Sequence, residues 1–189
     1  HMRGLEDDKV LHDPYFFPLY EEMSNLDIPV TVHIGNATPA VNELLNRGKG
    51  GSVFSATRLM SVAACHSWIL AGVPQEFPKL RIVFVEAAAG WVPYVVQDLY
   101  RRFPGRHGRP APDHLLKESR VWVSCQTDDD LDYVLRFAGE DNLVIGTDYG
   151  HTDHSSEIEA MRNLRDQGRL APQIADKILG ENAVTAYRL

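Results

Sequence analysis

The sequence predicts an α/β domain in which four parallel strands alternate with helices. Short apolar runs rich in β-branched residues recur along the chain, and they lack the polar alternation of a half-exposed strand. Such runs indicate strands that are covered on both faces, as in a parallel sheet. Stretches with apolar residues at helical spacing separate the runs, which is the pattern of strand–helix units. A chain of 189 residues can bury one good core, so we expect a single domain over residues 1–189.

The individual elements follow from local signals. Strands are predicted at residues 28–34, 80–86, 120–125 and 143–147. Helices are predicted at residues 14–25, 57–71, 91–103, 128–138, 155–166, 172–179 and 181–187, with Gly168 and Gly180 as stop signals. Residues 36–55 show little periodicity and several glycines, and residues 104–112 are basic and glycine-rich. We expect loops at both, the first long enough to act as a functional lid.

The composition describes an ordinary globular protein and argues against two kinds of partner. Hydrophobic residues make up 44% of the chain and charged residues 24%. The net charge of -7 argues against binding to nucleic acid or to an anionic membrane, because both require a basic face. No apolar stretch approaches the roughly 20 residues that a membrane-spanning helix needs.

Other features indicate a cytoplasmic protein. Cys65 and Cys125 are isolated and lie in apolar surroundings, which is typical of buried free thiols in a reducing compartment. Residues 3–13 are charged and lack the apolar core of a signal peptide. His1 and Met2 are similar to an expression scar.

Residues able to perform chemistry lie at the ends of the predicted strands. Residues 142–151 run from an apolar strand straight into Asp148 and His151, and His33 and Glu86 end the first two strands. Parallel strands place their carboxyl ends on one rim, so we expect His33, Glu86 and Asp148 to converge there. Imidazole and carboxylate groups suit zinc or a similar divalent ion. An aspartate at such a site can also accept a proton from water.

Each of these residues has a structural alternative. Asp148 is equally suited to capping the turn after its strand. His33 could be a hydrogen-bonded histidine of the core, and spacing does not separate the two roles. Glu86 needs a partner, because a carboxylate at the end of an apolar strand is rarely buried alone, and that partner could be a metal or an arginine.

Several strings of the sequence resemble one known family. They are residues 32–35, 77–83, 86–94, 142–151 and 178–183. These strings look like the carboxyl-terminal half of the amidohydrolase-2 family, in the right order. That family includes metal-dependent hydrolases and the decarboxylases related to aminocarboxymuconate-semialdehyde decarboxylase. The resemblance covers the chain from about Asp13 to Leu189.

The resemblance implies a fold and a site. It implies that the four strands are the fifth to eighth strands of a (β/α)8 TIM barrel. It also implies that His33 binds a divalent metal, zinc by expectation, and that Asp148 binds the metal or takes the proton during catalysis. Glu86 and His151 are further candidate contacts to the metal or the substrate. The family's pair of metal ligands on the first strand has no counterpart here, and Glu86 stands where several members have a histidine.

Two classes of function remain open from the sequence. The first is a metal-dependent hydrolase or decarboxylase that acts on a small carboxylic acid or related substrate and requires the other half of the barrel. The second is a non-catalytic half-barrel that serves as a binding or interaction module. A TIM barrel usually needs about 250 residues, so strands 28–34 and 142–147 are expected to be open apolar edges. We therefore expect a homo-oligomer or pairing with a missing amino-terminal half. With so few ligands the isolated chain is expected to be metal-poor and inactive.

Overall fold

The computed structural model describes residues 1–35, 38–45, 53–148, 150–151, 159–166, 168 and 170–189. Its strands are β1 (Met2–Arg3), β2 (Leu5–Glu6), β3 (Lys9–Val10), β4 (Val30–His33), β5 (Ile82–Val85), β6 (Val121–Cys125) and β7 (Leu143–Ile145). Its helices are α1 (Phe17–Asn25), α2 (Pro39–Leu45), α3 (Val53–Ala56), α4 (Arg58–Ala71), α5 (Val73–Glu76), α6 (Val92–His107), α7 (Leu115–Glu118), α8 (Leu131–Ala138), α9 (Ala160–Asp166), α10 (Pro172–Asp176) and α11 (Asn182–Tyr187). A 3-10 turn (Pro14–Phe16) precedes α1, and a π-helical turn (Lys177–Glu181) joins α10 to α11.

A five-stranded parallel sheet forms the centre of the fold, in the order β1, β4, β5, β6, β7. Val32 of β4 lies opposite Phe84 of β5, which lies opposite Val123 of β6, and Val123 lies opposite Leu143 of β7. The strands from β4 onward lie side by side in chain order with helices between them, so their carboxyl ends share one rim. The predicted α/β class with four parallel strand–helix units is confirmed. β2 and β3 form a separate antiparallel hairpin, which the sequence did not predict.

The sheet has one strand more than the sequence predicts. Met2 and Arg3 pair in parallel with Val32 and His33, and Met2 is only 8% exposed. β4 is therefore an interior strand, and the expectation that residues 28–34 form an open edge is wrong. A strand of two residues has no hydrophobic period that could reveal it. On the other side, β7 is the last strand of the sheet within the described part of the chain.

Two helices extend beyond their predicted ends. α6 continues past Phe103 and through Pro104, and it ends only where Gly108 adopts a φ of 66°. The predicted loop at residues 104–112 therefore begins later than expected. Gly180 does not stop a helix, because it lies inside the π-helical turn and the chain stays helical from Pro172 to Tyr187.

The predicted loop at residues 36–55 is partly wrong, because α2 lies within it. None of the residues of α2 is buried, so no apolar periodicity marks it in the sequence. The rest of that loop at residues 36–37 and 46–52 lies outside the described residues. So does the first part of the predicted helix 155–166, of which α9 is the described portion. Within the described ranges, no helix combines the length and the apolar character needed to cross a bilayer.

The hydrophobic residues form two clusters on opposite faces of the sheet. Alternate residues of each strand point to opposite faces, so neighbours in sequence belong to different clusters. The large cluster takes Phe84, Val123 and Leu143 and packs them against helices such as α4 and α6. The small cluster on the other face consists of Val83, Trp122, Val144 and Ala186. Since Ala186 belongs to α11, this last helix covers the face opposite the main helical layer.

Asn182 anchors α11 beneath the sheet. Its Nδ2 donates to the carbonyl oxygen of Glu140 at 2.8 Å and to that of Leu143 at 2.7 Å. Asn182 is 4% exposed, so both bonds are shielded from water. The two carbonyl groups flank the start of β7, and α11 therefore starts at the amino-terminal end of that strand.

The first residues of the chain are held to the core by Tyr20 on α1. The Tyr20 hydroxyl donates to the carbonyl oxygen of Leu11 at 2.7 Å, and both side chains are fully buried. The Tyr20 ring packs edge-on against Trp68 with centroids 5.0 Å apart. Gly4 lies so close to the backbone of Met60 that a Cβ atom there would overlap with it.

Candidate metal centre

A pocket of about 240 Å³ lies at the carboxyl-end rim of the sheet. Its polar lining residues are His33, Glu86, Ser124, Gln126, Asp148 and Tyr187. β4, β5 and β6 bring the first four to the rim, and the turn after β7 brings Asp148. Tyr187 comes from α11, which covers this face of the sheet. The three residues expected to converge, His33, Glu86 and Asp148, thus line one pocket.

The two carboxylates of the pocket sit on backbone of unusual conformation. Glu86 has a φ of 67° and Asp148 a φ of 48°. A positive φ in a residue other than glycine is uncommon, and such strain costs about 1 kcal/mol or more. Two contacts hold Glu86 in this conformation: its backbone N–H donates to Ser124 Oγ at 2.9 Å, and its carbonyl oxygen accepts from Arg58 Nη1 at 3.3 Å. Strained residues of this kind are concentrated at binding and catalytic sites.

Glu86, Asp148 and His151 bring ligand atoms together. His151 Nδ1 lies 2.7 Å from Asp148 Oδ1 and 3.5 Å from Glu86 Oε1. One potential ligand atom from each residue lies within 4.8 Å of the other two. The side chains of Glu86 and Asp148 are 14% and 15% exposed, whereas that of His151 is 59% exposed. The carboxylates therefore form the inner part of the group and His151 faces solvent.

His33 joins this group through Glu86. Its Nε2 lies in close contact with Glu86 Oε2, and its Nδ1 lies against the carbonyl oxygen of Ile34. The carbonyl of Ile34 can only accept, so an N–H at Nδ1 donates to it and orients the ring with Nε2 toward Glu86. Glu86 Oε2 is buried, and within the described residues it has no hydrogen bond of acceptable geometry. The imidazole Nε2 and the carboxylate oxygen thus face each other as a close pair.

The electrostatics of the pocket disfavour a second negative charge. Burial raises the pKa of Glu86, and the Asp148 carboxylate raises this pKa further. His33, His151 and Arg58 act in the opposite direction but do not cancel the increase. Two carboxylates held together in a partly dry pocket repel each other, and a cation between them removes that repulsion.

Asp129 fixes the loops that carry the site. Its Oδ2 accepts the backbone N–H of Gln126 at 2.8 Å and that of Ala89 at 3.0 Å. Gln126 directly follows β6, and Ala89 lies in the loop after Glu86. The Asp129 carboxylate therefore ties two neighbouring rim loops together. This role could not be predicted, because Asp129 lies within a run of three aspartates that are alike in the sequence.

The structure brings together more residues than the sequence predicted. The predicted metal ligands were His33 and Asp148, and the described group of converging ligand atoms is Glu86, Asp148 and His151. His151 was only a further candidate, because its position depends on the turn that begins at Asp148. Arg58 was missed because it lies 25 positions after His33, at the start of a helix.

Comparison with known proteins identifies the family. The family model of the amidohydrolases (Amidohydro_2) matches residues 2–189. The chain belongs to the amidohydrolase-2 family. The resemblance recognised in the sequence is therefore confirmed.

Solved structures of amidohydrolases show the same fold. A putative amidohydrolase from Staphylococcus aureus has a TM-score of 0.77 at 15% identity, over 100% of this chain and 64% of that one. The 5-carboxyvanillate decarboxylase of Sphingomonas paucimobilis has a TM-score of 0.73 at 14% identity, over 98% of this chain and 58% of that one. The dihydroxybenzoic acid decarboxylase of Polaromonas sp. JS666, with bound manganese and the inhibitor 2-nitroresorcinol, has a TM-score of 0.69 at 17% identity, over 94% of this chain and 55% of that one. The chain thus spans between about half and two thirds of these proteins, and its sheet corresponds to part of a TIM barrel.

The residues of the rim fit a divalent metal ion. The donors are two carboxylates and two imidazoles, a set that suits manganese as well as zinc. Among the described residues the buried Oε2 of Glu86 has no hydrogen-bond donor, and the His33 ring is oriented by the carbonyl of Ile34, as is usual for a histidine that binds a metal. Glu86, Asp148, His151 and His33 are therefore the residues that would hold the ion.

Proposed function

We propose that this chain carries the metal-binding rim of a metal-dependent enzyme that removes the carboxylate group from a small carboxylic acid. One observation carries the proposal. Glu86 Oε2 is buried, lies against His33 Nε2 and lacks a donor among the described residues. A divalent cation held at this rim would supply the positive partner that the buried Glu86 oxygen lacks among the described residues.

The remaining rim residues have complementary tasks. A divalent ion supplies a Lewis acid that polarises an oxygen atom of the substrate. Asp148, in contact with His151, exchanges a proton with the substrate. In decarboxylation the bond between the carboxylate carbon and its neighbour breaks and carbon dioxide leaves, and Asp148 passes a proton, taken up beforehand from water, to the carbon that keeps the electron pair. The buried wall formed by Val144 and its neighbours keeps this carbon away from bulk water.

Arg58 is the residue we assign to the substrate carboxylate. Its Nη1 donates to the carbonyl oxygen of Glu86, so the guanidinium lies at the rim. Within the described residues, the Arg58 guanidinium donates a hydrogen bond to this carbonyl and forms no ion pair with a carboxylate. A guanidinium has five N–H donors in a planar fork that matches a carboxylate, and several of these remain for a ligand.

The proposed activity requires more of a barrel than the described sheet contains. Within the described residues β7 is the last strand on one side of the sheet, which is an edge at which a further strand can pair. We propose that further strands of the barrel, or a second copy of the chain, complete the rim and supply further ligands. A homo-oligomer or a pairing with an amino-terminal half would provide this.

Titration calorimetry with manganese and zinc tests the metal site. The chain is first treated with a chelator, and each metal is then titrated into the wild type, Glu86→Gln and Asp148→Asn. Loss of an outer-shell partner already weakens metal binding by about 10–100-fold. We therefore expect at least about tenfold weaker binding for either variant, since each removes a direct ligand. Binding of both metals with wild-type affinity in Glu86→Gln would overturn the assignment.

The chain offers a matched control for this experiment. His66 Nε2 lies 2.9 Å from Asp98 Oδ2, a half-buried histidine–carboxylate pair on α4 and α6 away from the rim. Asp98→Asn should leave the affinity for both metals unchanged. Arg58→Gln also removes the contact to the Glu86 carbonyl, so it should weaken metal binding, but by less than the roughly tenfold loss expected for benzoate and its hydroxylated derivatives. Equal effects of Arg58→Gln on metal and on acid would contradict a role in holding the carboxylate.

Hydrolysis is the second candidate reaction. The same proximity of Asp148 and His151 supports it, because Asp148 is then placed to take a proton from an attacking water. Assays that follow both carbon dioxide release from small aromatic acids and ester or amide cleavage, on the assembled barrel, separate the two reactions. Cleavage without carbon dioxide release would replace decarboxylation by hydrolysis.

A further inference from the structure

A second cavity, of about 550 Å³, lies at the opposite end of the sheet. Arg81 and Arg120 directly precede β5 and β6, and both line this cavity together with Lys79 and Arg188. The five residue steps from Arg81 to Glu86 span roughly 17 Å along the strand. The cavity is therefore separate from the rim, and its volume is within the range of small-molecule sites, about 300–1,000 Å³.

The charge of this cavity is opposite to that of the protein. The chain has a net charge of -7, yet four cationic side chains line the cavity and a single carboxylate, that of Asp27, lies among the lining residues. Asp27 Oδ1 accepts from Arg81, and its Oδ2 lies 3.5 Å from Arg188 Nε. Glu21 and Glu76 line the adjoining groove and not this cavity. The positive charge is therefore local to the cavity.

Arg120 carries a charge that no carboxylate balances within the described part of the chain. Its guanidinium donates to the carbonyl oxygens of Leu80 at 3.2 Å, Glu118 at 2.9 Å and Pro74. The ion pairs recorded among the described residues do not include it, and burial lowers the pKa of this guanidinium. Three of its five N–H groups are used in these bonds, so two remain for a ligand. A half-buried cation without a counterion is stabilised by an anion.

The backbone of the cavity shows the same strain as the metal centre. Asp27, Arg120 and Arg188 have φ values of 56°, 53° and 59°. Within the described residues, Glu86 and Asp148 at the rim are two more of the seven non-glycine residues with positive φ. Such residues persist where a binding site requires a particular side-chain position. Both ends of the sheet thus carry charged residues on strained backbone.

We propose that this cavity binds a small-molecule anion with two or more negative charges. Arg81 and Arg120 form its fixed part, because both are anchored by backbone carbonyl oxygens. Lys79 and Arg188 are exposed, and their side chains contact the bound anion from the solvent side. The same arrangement suits the phosphate groups of a phosphorylated metabolite and the carboxylates of a polycarboxylic acid, because both present several oxygens with negative charge.

Calorimetry on the chelator-treated chain tests this site with pyrophosphate and with citrate. The double variant Lys79→Gln with Arg188→Gln removes two exposed charges that are not part of the core. The control Lys9→Gln with Arg101→Gln removes the same two charge types from positions outside the cavity, Lys9 being half-exposed and Arg101 exposed. We expect saturable binding to the wild type and to the control, and at least about tenfold weaker binding to the cavity variant. Binding of pyrophosphate alone identifies a phosphorylated ligand, and binding of citrate alone identifies a polycarboxylate.

Two further measurements separate this site from the rim and from general charge effects. Asp148→Asn should bind the anion with unchanged affinity, so that failure of the metal site leaves the present inference intact. In the wild type, the anion should raise the midpoint of thermal unfolding above that in sodium chloride of equal ionic strength. Absence of saturable binding to the wild type, or an equal loss of affinity in the control variant, would overturn the proposal.

Discussion

Replacing Asn182 by alanine tests how α11 is held beneath the sheet. Asn182 Nδ2 is shared between the carbonyl oxygens of Glu140 and Leu143, at 2.8 Å and 2.7 Å, in a position that is 4% exposed. A net hydrogen bond contributes about 1 kcal/mol, and a buried acceptor left without its donor costs about 1–3 kcal/mol. With two acceptors affected, we expect the free energy of unfolding to fall by about 3 kcal/mol.

Urea unfolding followed by circular dichroism measures this loss. With a slope of about 2 kcal/mol/M, typical of a small domain, the midpoint should fall by about 1.5 M while the slope stays the same. Asn182→Asp, which keeps the size but cannot donate at neutral pH, should lose at least as much. Thr185→Ala on the exposed side of the same helix should change the stability by less than about 0.5 kcal/mol. If the Asn182→Ala midpoint moves no further than that of Thr185→Ala, the two carbonyl bonds do not anchor the helix.

Three other outcomes are expected. Tyr20→Phe should lower the free energy of unfolding by about 1–2 kcal/mol in urea, because the buried carbonyl of Leu11 loses its donor, and an unchanged midpoint would contradict this. Gly4→Ala should lower the thermal midpoint more than Tyr20→Phe does, since its new Cβ meets backbone that cannot move aside; a smaller decrease would mean that the segment shifts freely. Cys65 and Cys125 should not react with a thiol reagent at pH 8 in the folded chain and should both react in urea. Both thiols are fully buried, and burial raises the pKa of Cys125 to about 12, so rapid labelling of the folded chain would show local opening.

The strands and the rim could be predicted because they depend on local patterns. Runs such as Leu80–Val85 are apolar without alternation, and this signal does not depend on the rest of the chain. Once the strands are parallel, the residues at their ends must share a rim, so His33, Glu86 and Asp148 could be grouped without coordinates. The edge at β4 was predicted wrongly, because Met2 and Arg3 are too few to form a pattern.

The remaining parts of the site depend on tertiary contacts. The turn that brings His151 to Glu86 begins at Asp148, which has a positive φ. In a residue other than glycine this conformation is uncommon and cannot be predicted from the sequence. Arg58 and Tyr187 arrive from helices that are distant in sequence from the strand ends. The charged residues of the basic cavity likewise come from three connections between elements and from Arg188, which follows the last helix. The spacing of residues along the chain does not reveal such tertiary contacts.

The π-helical turn at Lys177–Glu181 determines which way the last helix faces. One residue of an α-helix corresponds to a rotation of about 100°, and a π-helical turn accommodates one extra residue per turn. Before the turn, Ala175 of α10 packs into the large cluster, as does Ile178 within the turn, whereas after it Ala186 packs into the small cluster on the other face. The turn therefore rotates the residues that follow it about the helix axis. As a result, one continuous helical segment packs against residues of both faces of the sheet. Deleting Gly180 would remove one residue from the turn and rotate Tyr187 away from the rim pocket. The number of residues in this turn therefore affects the shape of that pocket.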